Sequence, residues 1–422
     1  MLSFWQKVCY NMTNQNAPGA GAKRRRMTMD IKALAEKYES YVIEQRRWFH
    51  AHPELSWEEY KTTDAIAAQL EAMGLEVKRF SDGLAGCTAM IYGGKAKPGC
   101  KTVALRADID ALPVEEKTGL PFASENPGCM HACGHDNHIA MLLGAAKILT
   151  EVKDELQGNV KLFFQPAEES CHGAEPCIRQ GVLDGVDAIF GQHIWDGLDA
   201  PYLNVQPGVR MASCDNFTLT VEGSSSHGSA PHLGVDAIVA ATAIIMNLQT
   251  IVSRNNNPLN GLVVTVGEIH GGQRWNVVAG KVVMEGTCRT HSREMRAQIE
   301  PLIRRIAEST AAAYKAKATL KYEAFPGPVI NDQDDLNKIA HDAAVKLYGE
   351  EGLKELPKMM GSEDFAYFME KVPGVFGFLG SHDAEHAASN HNDHYDVPES
   401  VLKRGAALHA QFAVDYLAAK AE

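Results

Sequence analysis

The chain of 422 residues is too long for one ordinary domain, and its length indicates two domains, one of which can be inserted into the other. Its hydrophobic fraction of 45% and charged fraction of 22% are the balance of a globular protein with a sizeable core. The net charge of −12 argues against nucleic acid and anionic membranes as partners, because phosphate groups would repel the average surface.

The cysteines and the first 29 residues bear on the cellular location. Nine cysteines, an odd number scattered along the chain, favour free thiols in a reducing compartment, so we expect a cytoplasmic protein. We find no run of about 18 apolar residues and therefore predict no membrane-spanning segment. Residues 1–29 hold five basic and no acidic residues, without the apolar run that follows the charges of a secretory signal. We expect a disordered leader or a native start near Met27 or Met29; a nuclear or nucleic-acid address at residues 23–26 is the alternative.

The chain from residue 30 to residue 212 alternates helices with strands. Asp30 is a candidate cap for a helix over 30–50, and a second helix over 58–73 ends at Gly74. The predicted strands lie at 76–80, 87–92, 102–107, 160–165 and 188–193, with an apolar helix over 138–149 before the fourth. This alternation predicts α/β layering.

A second pattern begins at residue 213. The predicted strands lie at 217–221, 261–269, 277–289 and 319–325, and the predicted helices at 235–252 and 293–317. These elements indicate an α+β unit over residues 213–326, and Pro326, Gly327 and Pro328 resemble a hinge. Residues 327–422 return to helix and strand and end in an amphipathic helix over 400–417. The sequence therefore predicts an α/β domain in two parts with an α+β domain inserted between them.

Potential metal ligands cluster where predicted strands end. Asp108 and Asp110 are two residues apart, so on extended backbone their side chains face the same pocket; loop acids without a function are the alternative. Thiol, imidazole and carboxylate donors follow within nine residues and suit a first-row divalent ion; they are His131, Cys133, His135, Asp136 and His138. Gly134 allows the sharp bend that lets Cys133 and His135 converge.

Three further segments supply donors. Glu168 and Glu169 follow an apolar strand, so one can bind a metal while the other moves a proton; a solvated acidic turn is the alternative. His193 lies at the exit of a strand, and His391 and His394 lie in a polar loop over 390–395. Together the segments provide one thiolate, one carboxylate and three imidazoles, enough for two metal ions.

The order of these motifs resembles a known family. The chain contains seven motifs in the order A-D-I-D-A-L-P, H-A-C-G-H-D, Q-P-A-E-E, G-Q-H, S-H-G-S-A-P-H, G-S-E-D-F and H-N-D-H-Y. This order closely resembles that of the dinuclear aminoacylase/carboxypeptidase metallohydrolases. The chain looks most similar to the amidohydrolase branch with hippurate hydrolase, bacterial N-acyl-amino-acid amidohydrolases and plant indole-acetyl-amino-acid hydrolases. The resemblance covers residues 40–418 and implies a mixed-sheet catalytic domain, in parts 30–212 and 327–422, with residues 213–326 as a lid and dimerisation domain.

The resemblance also implies roles for individual residues. The metal ligands would be Cys133, His135, Glu169, His193 and His391. His391 is preferred to His394 because the family's terminal histidine lies four residues before an aromatic, here Tyr395. Glu168 would be the general base and Asp110 the orienting acid, whereas Asp108 stands where other branches have a histidine ligand, so its role is open.

Residues of the inserted domain would complete the site. His227 matches a histidine that reaches the partner's active site in a homodimer and stabilises the developing oxyanion; a loop histidine is the alternative. Asn276 and Arg289 resemble positions that grip the substrate carboxylate, and a guanidinium suits that task. Gly361, Ser362 and Glu363 are expected to line the pocket.

The resulting hypothesis is hydrolysis of the amide bond of N-acyl amino acids by water activated at two divalent ions, which could be zinc, manganese, cobalt or nickel. A dipeptidase or carboxypeptidase of the same family is the first alternative. A metal-dependent binding protein without catalysis is the second, and Glu168 argues against it because pure binding needs no mobile base.

Overall fold

The structure, a computed structural model, describes residues 29–421. The helices are α1 (Ile31–Ala51), α2 (Tyr60–Ala72), α3 (His135–Val152), α4 (Ala174–Arg179), α5 (Ala237–Thr250), α6 (Arg293–Ala313), α7 (Asp334–Tyr348), α8 (Phe365–Met369) and α9 (Leu402–Ala419). The strands are β1 (Val77–Arg79), β2 (Cys87–Ile91), β3 (Thr102–Asp108), β4 (Asn159–Gln165), β5 (Ala188–Asp199), β6 (Leu203–Asn204), β7 (Gly208–Met211), β8 (Asp215–Glu222), β9 (Leu262–Gly271), β10 (Lys281–Thr290), β11 (Lys317–Ala324), β12 (Val329–Asn331) and β13 (Gly374–His382).

A seven-stranded mixed sheet in the order β1-β2-β4-β3-β5-β13-β6 forms the larger part of the fold and confirms the α/β class. Its four central strands, β4, β3, β5 and β13, are parallel to one another. Strand β3 is buried along its whole length: Val103 and Leu105 face one hydrophobic cluster, and Ala104 faces another on the opposite side. The carboxyl ends of the central strands therefore meet at one edge, and the loops that leave this edge carry the candidate ligands.

Helix α3 packs between α1 and α9 on one face of this sheet, whereas α4 and α8 contribute to the cluster on the other face. Nearly every residue of α3 is buried, as expected of a helix that is apolar around its circumference. The helix begins at His135, three residues before the predicted start, because Gly134 turns the chain with a φ of 85°. His135 therefore lies in the first helical turn, at the sheet edge.

Residues within 213–326, here called the inserted domain, form a second, antiparallel sheet in the order β11-β8-β10-β9. Helices α5 and α6 cover it and share with it a separate hydrophobic cluster that runs from Phe217 to Leu320. The chain enters and leaves side by side, since the Cys214 N–H donates to the Pro326 carbonyl at 3.0 Å. This pair of adjacent segments is the connection to the large sheet.

Some predicted boundaries were wrong. The strand predicted over 277–289 begins at Lys281, because Val277 instead forms a bridge with His227. The helix predicted over 293–317 ends at Ala313, where Lys315 takes a φ of 60° and its neighbour's N–H returns to a helix carbonyl. The predicted leader, residues 1–29, lies outside the described residues apart from Met29.

The expectation of no long apolar segment also needs correction. Helix α5 and the π-helical turn that follows it, Ala237–Asn255, span 19 residues and include an 18-residue window with a mean hydropathy of 1.4, enough by length and composition to cross a membrane. Only 33% of the residues in this window are buried. The buried residues, such as Ala240, Ile244 and Leu248, pack on the antiparallel sheet, which is the arrangement of a helix that covers a core. The opposite side is exposed and carries Ile238, Val239 and Met246 among polar residues such as Thr242 and Gln249.

Candidate active site

The five predicted metal ligands lie around one cleft at the edge of the large sheet. Cys133 Sγ is 3.5 Å from His193 Nε2. Glu169 Oε1 is 3.8 Å from His135 Nε2 and 3.5 Å from His391 Nε2. Two donors on one tetrahedral zinc-like ion, with bonds of about 2.0–2.3 Å, are about 3.3–3.8 Å apart. The observed separations therefore suit donors that share metal ions.

Two of these donor atoms lack a hydrogen-bond partner in the part of the chain that the structure describes, which bears on whether a metal ion fits the site. His135 Nε2 and Glu169 Oε1 are buried and have no hydrogen-bond partner among the described residues. Buried polar atoms are normally paired, so two facing atoms without a partner fit a cation bound between them. Burial lowers the pKa of His135, but the carboxylates of Asp108 and Asp110 outweigh it and raise the value to about 10. The surroundings thus favour positive charge, and divalent cations fit them.

The orientation of each ligand is fixed by a hydrogen bond on its far side. His135 Nδ1 donates to Asp110 Oδ1 at 3.1 Å, and His193 Nδ1 donates to the Ile194 carbonyl. Because carboxylates and carbonyls only accept, Nδ1 carries the proton in the neutral form of each ring, and Nε2 is then the atom free to bind a metal ion. Asp110 Oδ2 also accepts the Glu169 N–H at 3.0 Å. Asp110 thus connects two predicted ligands, in keeping with its predicted orienting role.

His391 is more exposed than the other ligands. Its side chain is 56% exposed, and its backbone takes a φ of 67°. Its N–H donates to the Ala132 carbonyl at 2.7 Å, which ties this loop to the turn that carries Cys133. Asn390 Nδ2 donates to the Cys133 carbonyl at 3.2 Å and reinforces the same contact. His394, the alternative ligand, pairs with its neighbour Asp393 instead.

Asp108 supports the site from behind. Its Oδ2 accepts from Arg106 Nη1 at 2.8 Å, and its Oδ1 lies 2.5 Å from His138 Nδ1. His138 Nε2 accepts the Ile194 N–H, so Nδ1 carries the proton that is donated to Asp108. Both oxygens of Asp108 are engaged, and its side chain is fully buried. In this structure Asp108 holds His138 and the strand that carries His193.

Glu168, the predicted base, lies in the cleft beside Glu169 and is 6% exposed. The Asp364 N–H donates to its Oε1 at 3.4 Å. Burial, together with the neighbouring carboxylates of Glu363 and Glu169, raises the pKa of Glu168 well above its usual range. Arg106 lies among these acids and pairs with Glu363 and Asp364, so part of their charge is compensated. Glu168 is therefore a carboxyl group that can hold a proton at the cleft.

The cleft has a volume of about 440 Å³ and connects the metal ligands with the inserted domain. Arg289 lines the cleft and donates from Nη1 to Ser362 Oγ at 2.9 Å. Its guanidinium is placed to bind a carboxylate. Gly361, Ser362 and Glu363 line the cleft as expected. Trp195 and Met211 give it an apolar side.

His227 and Asn276 are near each other but do not line this cleft. The Gly228 N–H donates to the Asn276 carbonyl at 2.8 Å, and His227 Nδ1 bonds to Ser229. Both residues belong to the inserted domain. The structure therefore brings together eight of the ten predicted site residues and leaves this pair outside the cleft of its own chain.

Several residues of the site escaped the sequence reasoning. Cys171 and Asp196 line the cleft, and Arg106 lies at the centre of the buried acids. Arg106 could have been found, since it is two residues before Asp108 on the same buried strand and so projects to the same side. Cys171 gave no such signal because its place depends on loop conformation, and Asp196 was missed because β5 continues past residue 193, where the predicted strand ends.

Comparisons with known proteins agree with the geometry. The model of peptidase family M20/M25/M40 matches residues 104–415. An N-acetyl-L-cysteine deacetylase of Bacillus subtilis is 44% identical over 353 residues, which is 83% of each chain. Thermostable carboxypeptidase 1 of Saccharolobus solfataricus is 38% identical over 92% of this chain and 98% of its own.

A solved structure extends the likeness to the fold. The YXEP protein of Bacillus subtilis, described as a dinuclear metal-binding peptidase, superposes with a TM-score of 0.80 at 36% identity, over 91% of this chain and 99% of its own. The family match covers the ligands, the inserted domain and the large sheet from within β3 onward. The chain therefore belongs to peptidase family M20/M25/M40 and is a hydrolase that acts on amide bonds.

Proposed function

We propose that the protein hydrolyses N-acyl amino acids at a site with two divalent metal ions. The observation that carries the proposal is the pair of facing, unpaired donors, His135 Nε2 and Glu169 Oε1, next to the buried carboxyl group of Glu168. In the same cleft, Arg289 offers a guanidinium for the free carboxylate of the amino-acid part. An amide whose amino side ends in a carboxylate matches both of these features.

The chain's own residues would divide the reaction as follows. Bound metal ions would lower the pKa of water and polarise the scissile carbonyl. Cys133, His135, Glu169, His193 and His391 would hold them. Glu168 then accepts a proton from the attacking water and returns it to the departing nitrogen, a task for which its raised pKa suits it.

The test is turnover by metal-stripped protein resupplied separately with zinc, manganese, cobalt or nickel. The substrates are acetyl-, benzoyl- and aminobenzoyl-amino acids beside plain dipeptides. We expect hydrolysis of acyl-amino acids and loss of turnover when the acyl-amino acid is offered as its carboxyl methyl ester. Equal turnover of acid and ester would contradict the role of Arg289.

A carboxypeptidase or dipeptidase is the second candidate, favoured by the likeness to the thermostable carboxypeptidase. The same donors and base serve both reactions, so the shape of the cleft decides between them. Faster hydrolysis of dipeptides than of every acyl-amino acid would favour this candidate. Full metal occupancy without turnover of any substrate would favour a binding protein instead.

We further propose that the protein is a homodimer joined through the inserted domain. Strand β9 is at the sheet edge and pairs on one side with β10, and most of its residues are exposed. Large apolar side chains are exposed on α5 and the adjacent segments; they are Leu233, Ile238, Val239, Met246, Leu259, Ile269, Trp275 and Val277. Exposed strand edges and apolar patches mark interaction surfaces. A second copy of the inserted domain would cover both.

Dimerisation would also explain the place of His227 and Asn276, which lie outside the cleft of their own chain. The test mixes inactive Glu168→Gln and His227→Ala subunits after reversible dissociation. Random pairing gives one intact site in half of the dimers, so we expect about a quarter of the wild-type turnover. No recovery, although mass-tagged heterodimers form, would show that His227 acts within its own chain or not at all. The metal identity and the cytoplasmic location remain predictions.

A further inference from the structure

The segment that precedes α2 lies behind the cleft and contacts the residues that carry the chemistry. Ser56 Oγ donates to Asp110 Oδ2 at 2.7 Å. Glu59 Oε1 accepts the Ala167 N–H at 2.7 Å, and Glu59 is fully buried. The next residue in the chain after Ala167 is Glu168, the proposed base. The buried side chain of Glu59 thus binds the residue that directly precedes Glu168 and Glu169.

Ala167 has an unusual backbone conformation. Its φ of 57° and ψ of 38° lie in the left-handed region, which residues other than glycine rarely adopt. This turn follows strand β4 and sends the next two side chains to different partners. Glu168 Oε1 meets the Asp364 N–H, and Glu169 Oε1 faces His391 Nε2. The directions of the base and of a metal ligand therefore depend on the left-handed residue.

Two buried carboxyl groups hold this turn through its backbone. Glu59 accepts the N–H of Ala167, and Asp110 accepts the N–H of Glu169. We infer that Glu59 is a positioning residue, which fixes the turn so that Glu168 reaches substrate and Glu169 reaches the metal ions. This inference rests on the proposed function, although it concerns the turn itself and can be tested without turnover.

The acceptor atom of Glu59 is the feature that matters. Burial and the charge of Asp110 raise the pKa of Glu59 to about 8, which favours the protonated carboxyl group. Its Oε2 is buried and has no hydrogen-bond partner. Glutamine has the shape of the protonated acid and keeps a carbonyl acceptor for the Ala167 N–H, whereas leucine has similar bulk and no acceptor.

The experiment compares Glu59→Gln, Glu59→Leu and the control Glu58→Gln, which changes an exposed acid in the same turn. Two quantities are measured on zinc-loaded full-length protein: kcat and KM for an acyl-amino acid, and the rate of zinc release to a chromogenic chelator. We expect Glu59→Leu to lower kcat at least tenfold, about 1.4 kcal/mol in the barrier, with KM within twofold of wild type. Zinc release should be at least fivefold faster, and both glutamine variants should remain within threefold of wild type on every quantity.

Substitution at the turn separates positioning from general damage. Ala167→Gly lets the residue adopt the left-handed conformation without a side-chain clash, so it should recover most of the loss in the Glu59→Leu background. If Glu59→Leu loses as much kcat and zinc retention with glycine at position 167 as with alanine, the inference is overturned. Wild-type kcat and zinc release in Glu59→Leu would also overturn it, as would equal damage in Glu59→Gln and Glu59→Leu.

Two outcomes need separate treatment. If Glu59→Leu does not fold, Glu59→Asp replaces it, because aspartate withdraws the acceptor by one methylene; wild-type kcat and zinc release in that variant would overturn the inference. If wild-type protein hydrolyses no substrate, the proposed function fails. Faster zinc release from the Glu59 variant, reversed by Ala167→Gly, would still support the positioning role in that case.

Discussion

Replacement of Glu168 by glutamine tests the proposed base. The substitution preserves size and keeps an oxygen that can accept the Asp364 N–H, now made at 3.4 Å to Oε1. It removes the basic oxygen and one of several carboxylates crowded beside Glu363 and Glu169. General acid–base catalysis contributes about 10²–10⁴-fold, or about 3–5 kcal/mol, so kcat should fall by this factor. The free energy of unfolding should not fall, because no ion pair to Glu168 is lost.

The assay measures kcat, KM and metal content per chain for Glu168→Gln and for Glu175→Gln, an exposed acid on α4. We expect two metal ions per chain in both variants and near-normal turnover in the control. Near-normal kcat in Glu168→Gln would refute the assignment of the base. Loss of metal from this variant would instead make Glu168 a ligand.

Three further predictions follow from the buried groups. Cys133→Ala should lower bound metal below two ions per chain in mass-spectrometric metal analysis, and unchanged content would exclude Cys133 as a ligand. Arg106→Leu leaves buried acids without their cation and should lower the free energy of urea unfolding of metal-free protein by about 3–5 kcal/mol; an unchanged value would contradict the ion-pair network. Burial raises the pKa of Asp136, but His50 and Arg46 outweigh it and hold the value below its usual range. A carboxyl group whose pKa is lower in the folded than in the unfolded protein stabilises the fold at pH values above the unfolded-state pKa, about 3.9 for aspartate. This stabilisation is lost as the pH falls towards the folded-state pKa. Asp136→Asn should therefore be less stable at pH 7 and lose less stability than wild type between about pH 5 and pH 3; an equal decline would contradict the pairing.

Most of the site could be predicted because its residues lie at or near the ends of strands and helices that the sequence pattern indicates. Asp110 and Glu169 follow apolar strands, and His193 lies within β5 beside the parallel strand β13, so the sheet brings them to one edge. Cys133 and His135 flank a glycine that the structure uses at a φ of 85°. Local pattern and sheet geometry were sufficient for these residues, and the family resemblance supplied their individual roles.

Other parts of the site depend on contacts that no local pattern encodes. Glu59 reaches Ala167 across 108 positions, and Arg106 reaches Glu363 across 257. The apolar length of α5 escaped notice because polar residues interrupt the run, although its mean hydropathy stays at 1.4. The separation of Asn276 from Arg289 follows from the path of the chain before β10, which periodicity had assigned to the strand.

The central claim is that five dispersed side chains enclose two metal ions. A crystal structure of the zinc-loaded protein, with anomalous data collected at the zinc edge, measures this directly. We predict two peaks within bonding distance of donors from Cys133, His135, Glu169, His193 and His391. A single peak, or peaks bound by other residues of the chain, would contradict the account.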